Sequence, residues 1–239
     1  MKTMKTPKIA SIARAATLAM VAGAVALGLA TPAGAVAGTM YGDPAAAAKW
    51  WRYQKYDDCV LMASADVIGQ MTGKEPSEDA IIKVAQATPS TDHPGSIYAK
   101  PADTRNPNSG MGTSPLDVPT LLAQYQIGSV LTDKKHAPAD GFLPGIEGLK
   151  KELAAGNKII VGVNAEVIWQ EPIEKKDELG NPRGDHAVVV TGVDTATNMV
   201  HLNDSGIRAG RDSQIPVKVF LKAWDATDEM MIVTSPTGH

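Results

Sequence analysis

The sequence predicts an α+β domain, and three features of its patterning carry that reading. Apolar residues recur at helical spacing early in the chain, short β-branched runs bounded by turn residues fill the last third, and strands do not alternate regularly with helices. Helices come first and antiparallel strands mostly last.

The domain is expected to begin after a leader. Lys2, Lys5, Lys8 and Arg14 precede an apolar run from about Ala15 to Ala30, and small residues follow at Ala33-Gly34-Ala35 and Ala35-Val36-Ala37. That is the pattern of a secretory signal peptide (residues 1–37) cleaved after Ala35 or Ala37. The alternative, a retained membrane anchor, fits less well: the run is short, rich in Ala and Gly, and ends at a small-x-small site. No later segment reaches the ~20 apolar residues of another span. Residues 38–239 are therefore expected to form a single domain, secreted or otherwise extracytoplasmic, with no membrane partner after cleavage. Loss of four basic and no acidic residues takes the net charge from −3 to −7. An acidic domain of this kind argues against nucleic acid and anionic membranes as partners.

The elements follow in order. Tyr41 to Lys49 reads as a Gly/Pro/Ala lead-in, and Trp50-Trp51 as the start of the folded part. Val60, Ala63, Val67, Ile68 and Met71 predict a helix from Cys59 to Met71, capped by Asp57 or Asp58 and ended by Gly73. Ser77 as cap, with Glu78 and Asp79 in the first turn, predicts a second helix to Ala87. Residues 88–113, dense in Pro, Gly, Asn, Asp and Ser, read as a long loop of the kind that often serves function. Ser114-Pro115 opens a helix with Leu121, Leu122 and Tyr125 on one side, and a further helix spans about Leu143 to Ala155. Lys158 to Val163 reads as a buried strand, and Glu166 to Arg183 as a charged loop. His186–Val193 and Met199–Asn203, five residues apart, form a hairpin. A helix near Val217–Trp224 and a strand near Met230–Thr234 finish the chain.

The single cysteine, Cys59, excludes an internal disulfide in a compartment where thiols tend to pair. It is either buried and inert or present for its chemistry. A thiol is nucleophilic as thiolate, and the start of a helix favours that anion. Asp58 opposes it if its carboxylate turns toward the sulfur, so a cationic imidazole is needed. Among five histidines, His239 is terminal, His93 lies in the loop, His136 reads as a solvated turn, and His201 sits on a strand where solvent exposure is its ordinary account. His186 opens the apolar strand Ala187-Val188-Val189-Val190 after the polar turn Gly184-Asp185. It lies 127 residues beyond Cys59, near the separation of roughly 130 in papain-type enzymes. The bland reading, a strand-end histidine bonded to a turn, stands beside that one. Hairpin geometry brings Asp204, or the amide of Asn203, to the same end of the sheet, where it would orient the ring. Gln54, by itself an ordinary surface glutamine, stands just upstream of the cysteine, where an amide can help hold an oxyanion.

These residues carry a resemblance. Gln54-Lys55-Tyr56-Asp57-Asp58-Cys59 and the following helix, together with Gly184-Asp185-His186-Ala187-Val188-Val189-Val190-Thr191-Gly192-Val193-Asp194 and Val200-His201-Leu202-Asn203-Asp204, resemble the C39-like peptidases of bacteriocin-processing type. Gly112-Thr113-Ser114-Pro115 and Leu149 to Lys158 are similar to intermediate segments of that family. The resemblance implies a papain-like cysteine peptidase fold, N-terminal helices packed on a C-terminal antiparallel sheet. It also implies Cys59 as nucleophile, His186 as base, Asp204 as orienting residue and Gln54 in the oxyanion hole. Val60-Leu61 stand where many members have Gly-Pro, which leaves substrate preference open. The membrane and ATPase domains of bacteriocin exporters have no counterpart here, which argues against leader-peptide cleavage during export.

The expected function is hydrolysis of a peptide or amide bond in a peptide or protein, with cell-wall peptide as one substrate class. The alternatives are a non-catalytic extracellular binding module on the same fold, and a cell-wall amidase or acyl transferase. No cofactor is expected, and no metal: Asp194, Asn198, Asn203 and Asp204 lack calcium-loop spacing, and no zinc pattern occurs. Trp50, Trp51 and Trp169 read as core or rim packing, with a cleft-lining role as the alternative.

Overall fold

The computed structural model describes residues 38–106 and 109–235; the expected leader and its cleavage positions lie outside them. In chain order the elements are strand β1 (Met40–Gly42), helices α1 (Pro44–Ala47), α2 (Cys59–Thr72), α3 (Glu78–Ala87) and α4 (Val118–Ala123), then β2 (Ser129–Thr132), α5 (Gly145–Ala154), β3 (Ile159–Val163) and α6 (Ala165–Ile168). They continue with β4 (His186–Asp194), β5 (Met199–Asn203), β6 (Ser213–Pro216), α7 (Val217–Asp225) and β7 (Met231–Thr234). The strands make one antiparallel sheet in the order β2-β7-β3-β4-β5-β6, with β1 paired to the far end of β4.

Strand alternation divides the core into two layers. Ile160, Ala187, Val189 and Ile232 meet Leu61, Ile68, Ile81 and Leu121 of α2, α3 and α4 on one face. Val161, Val188, Val190 and Met231 meet Leu149, Ile168, Phe220 and Trp224 of α5, α6 and α7 on the other. The N-terminal helices thus pack on the sheet as expected, and the later helices cover its opposite face. The physical reason is visible in β3 and β4, whose β-branched runs are apolar on both sides and need cover on both.

Three local expectations are corrected. The lead-in before Trp50 is structured: β1 pairs with β4, and Asp43 caps α1 by accepting from the Ala46 N–H at 2.9 Å, with Pro44 at its start. Strands β2 and β6, four residues each, were not expected from the pattern, being too short to show a period. The helix expected from Ser114 is a 3₁₀ turn, Pro115–Asp117, running into the short α4. Other boundaries match their sequence signals. Ser77 accepts from the Ala80 N–H, and α2 stops at Gly73, whose φ of 73° is the left-handed conformation that glycine adopts without penalty.

Among the described residues no helix is long and apolar enough to cross a membrane. None of them forms a group of three or more His, Cys, Asp or Glu able to hold a metal ion.

Candidate active site

Two elements bring distant parts of the chain together. Cys59 is the first residue of α2, which lies across the sheet, and His186 is the first residue of β4. The turn before β4 is fixed because Asp185 donates its N–H to the Val163 carbonyl and accepts from the Ala165 N–H. Asp204 follows the last residue of β5, in a turn closed by its own N–H on the Gly210 carbonyl at 2.8 Å.

The His186 ring lies between the thiol of Cys59 and the carboxylate of Asp204. Nε2 is 2.7 Å from Asp204 Oδ1, which leaves Nδ1 as the ring nitrogen for the sulfur. The side chains of His186 and Asp204 are 5% and 2% exposed, whereas Cys59 is partly open to solvent. A buried histidine with an open cysteine beside it suits a nucleophile that meets substrate while its proton partner stays dry.

Burial works against charge on the imidazole, but Asp204 beside it, with the thiol of Cys59 adding to the effect, holds its pKa up to about 10. Burial likewise opposes charge on Asp204. The imidazolium, the Trp169 indole N–H donating at 2.8 Å and the Gly206 N–H donating at 2.8 Å keep its carboxyl below the usual range. Each group thus favours the charged form of the other.

Gln54 reaches the same corner. Its N–H donates to the Ser205 carbonyl at 3.0 Å, and the Ser205 hydroxyl donates to its Oε1 at 2.8 Å. That second bond orients the amide, so that Nε2 is the donor end; one of its hydrogens goes to the Tyr56 carbonyl at 2.8 Å. The other is left for a further acceptor.

The four residues singled out from the sequence thus converge on one place. Four others that belong with them were not singled out for it. Trp169, read as packing with a cleft-lining role as the alternative, packs against His186 with ring centroids 5.4 Å apart and ring planes tilted by 60°, as well as bonding Asp204. Gly206 sits where a Cβ would press on the His186 ring and on Trp169, at 2.9 to 3.0 Å. Ser205 positions Gln54, and Lys175, paired with Asp185 at 2.8 Å, lies near enough to Cys59 for the two to interact electrostatically. Adjacency to Asp204 was a signal for Ser205 and Gly206. Lys175 and Trp169 arrive from a loop and a short helix whose course no periodicity reveals. Trp51 donates to the Asp204 carbonyl at 2.6 Å, while Trp50 packs beside Gly69.

Asp58, a suspected obstacle to the thiolate, turns inward. It occupies the cap position of α2 without a side-chain hydrogen bond to the helix, and it is fully buried. His201 pairs with Asp212 and His136 with Asp133; His93 is exposed, and His239 lies outside the described residues. Asn203 donates to the Ala47 carbonyl and Asp66, which leaves Asp204 alone as the partner of His186.

A cysteine at the mouth of a helix, facing a histidine and aspartate on the rim of an antiparallel sheet, within an α+β domain, is the arrangement of papain-like cysteine peptidases. The chain belongs to the Peptidase_C39 like family, whose model matches residues 45–231. Uncharacterised proteins of Mycobacterium bovis and Mycobacterium tuberculosis are 62% identical over 232 residues, covering 97% of this chain and all of theirs. A crystal structure from Bacillus anthracis, described as a C39-like peptidase, superposes with a TM-score of 0.52 at 18% identity, over 79% of this chain and 95% of that one. That likeness is one of fold. Family and fold together support a peptidase-type function.

Proposed function

We propose that the protein is an exported thiol hydrolase that cleaves a peptide or amide bond with Cys59, His186, Asp204 and Gln54. The observation that carries this reading is the position of one buried imidazole between a partly exposed thiol and a buried carboxylate. Its raised pKa keeps it protonated at neutral pH, the state that stabilises a thiolate beside it.

In this mechanism the thiolate of Cys59 attacks the scissile carbonyl and the carbon becomes tetrahedral. The remaining Nε2 hydrogen of Gln54 and the Cys59 backbone N–H, at the unpaired start of α2, bind the oxyanion. His186 gives its proton to the leaving amine as the tetrahedral carbon collapses to a thioester. A water then attacks the thioester, His186 takes its proton, and collapse of the second tetrahedral carbon expels the sulfur, so that the acid product leaves with the Cys59 thiolate and the His186 imidazolium regenerated. Asp204 stays ionised throughout and holds the ring in place. The basic start, the apolar run and the small-x-small site before residue 38 support export.

The test is incubation of residues 38–239 with a mixed peptide library and with peptidoglycan peptides, read by mass spectrometry. Cleavage products from the wild type and none from Cys59→Ala are expected. Equal product patterns from both proteins would remove Cys59 from the reaction.

A further inference from the structure

Two stretches of chain are fastened together beside Gln54 and His186: residues 51–54, just before the nucleophile, and the turn 204–211 after β5. Trp51 donates its indole N–H to the Asp204 carbonyl at 2.6 Å, the Gln54 N–H donates to the Ser205 carbonyl at 3.0 Å, and Gly206 lies against the His186 ring. The same stretches meet in two pairs of a cation with a ring. The Arg208 guanidinium stands 4.7 Å from the centroid of the Tyr53 ring, and that of Arg211 stands 5.4 Å from the Trp51 ring. Both arginines and Tyr53 are exposed.

These arginines differ from the other cations of the neighbourhood. Arg52 is held by Glu75 at 2.9 Å, Lys55 by Glu78 at 3.1 Å and Lys175 by Asp185 at 2.8 Å. Arg208 and Arg211 have no carboxylate partner and donate to no acceptor among the described residues. The carboxylates of their own turn and its flank are committed elsewhere, Asp204 to His186 and Asp212 to His201, each at 2.7 Å. An aromatic ring attracts a guanidinium and restrains it, but offers no oxygen to its N–H groups. In a chain of net charge −3, two cations without counterions at the edge of the site favour an anionic partner there.

We propose that Arg208 and Arg211 determine substrate specificity: they bind a carboxylate of the peptide being cleaved, so that acidic peptides are the preferred substrate class. This rests on the hydrolase reading of the site. Arg208 leans on the residue before Gln54, and the turn that bears both arginines starts at Asp204. A peptide whose scissile carbonyl meets Gln54 therefore has them beside it. Arginine suits the task, because its planar fork binds both oxygens of a carboxylate. Contact with a ring also limits the freedom it loses on binding. A peptide offers a carboxylate from two sources, an acidic side chain and a free C-terminus, and the arginines read the chemistry common to both.

The experiment compares three pools of short peptides, otherwise random in uncharged residues: one with a fixed Glu and amidated C-termini, one with Gln in its place and amidated C-termini, and the Gln pool with free C-termini. Cleavage is followed by mass spectrometry in the wild type, Arg208→Gln, Arg211→Gln and the double variant. Binding of the same pools is measured by equilibrium dialysis in Cys59→Ala, with and without both arginine substitutions. In the wild type the Glu pool, the free C-terminal pool or both should show a kcat/KM about fivefold above the amidated Gln pool, a ratio that falls to about one in the double variant. Whichever pool is favoured identifies the source of the carboxylate. Added sodium chloride should shrink the preference. Equal cleavage of all pools by the wild type, or a preference that survives in the double variant, overturns the proposal. If no pool is cleaved, the hydrolase reading fails and binding decides the role of the arginines. Arginine-dependent retention of a carboxylate pool by Cys59→Ala upholds it, and equal or absent binding overturns it.

Discussion

His186 and Asp204 are eighteen residues apart in the chain and 2.7 Å apart in space, Nε2 to Oδ1, with both side chains almost wholly removed from solvent. Their separation is set by the β4–β5 hairpin and the turn that follows it. The remaining groups of the site are arranged around this ion pair.

Asp204→Ala is expected to destabilise the domain by ~3–5 kcal/mol, the cost of leaving a buried cation without its partner. The Trp169 and Gly206 N–H groups would lose their acceptor as well. Urea denaturation at neutral pH measures this. Asp204→Asn, which keeps an acceptor oxygen, should cost less.

The pH dependence of stability has a defined sign. The pKa of His186 in the fold, about 10, is above the ordinary 6.5. The stability it contributes is therefore fully present below about 6.5 and is lost as pH rises through about 10. Denaturation of the wild type and His186→Gln across that window should show a wild-type advantage that shrinks steadily with pH. A constant difference would mean that the ring is uncharged in the folded protein.

The long loop is fastened to the segment that carries the nucleophile. Tyr98 donates its hydroxyl to Asp57 Oδ1 at 2.8 Å, and the Gly112 N–H donates to Oδ2 at 2.7 Å. A Cβ at Gly110 would collide with the same carboxylate. Gly110→Ala is expected to raise KM for a peptide substrate several-fold, while iodoacetamide still labels Cys59 at the wild-type rate, because the ion pair is untouched. Steady-state kinetics alongside labelling separates the two effects.

Much of this was legible in the residues. The periodicity of α2 and α3, their Ser77 and Gly73 boundaries, and the β-branched runs of β3, β4 and β5 give the α+β order, because each has a pattern long enough to show its period. Cys59, His186 and Asp204 were legible as candidates because each stands at an element boundary, and Gln54 because it lies five residues before the cysteine. Short elements were not: β1, β2 and β6 gain their structure from pairing with neighbouring strands. Trp169 and Lys175 reach the site through irregular chain, and only three-dimensional contact reveals them.

The most direct measurement is the rate at which iodoacetamide alkylates Cys59 at about pH 6, where an ordinary thiol of pKa about 8.5 is almost entirely protonated. The wild type should react at least tenfold faster than a small model thiol under the same conditions, and His186→Ala should fall to the model rate. Equal rates for the wild type and His186→Ala, both at or below the model thiol, would contradict the pairing of sulfur and imidazole.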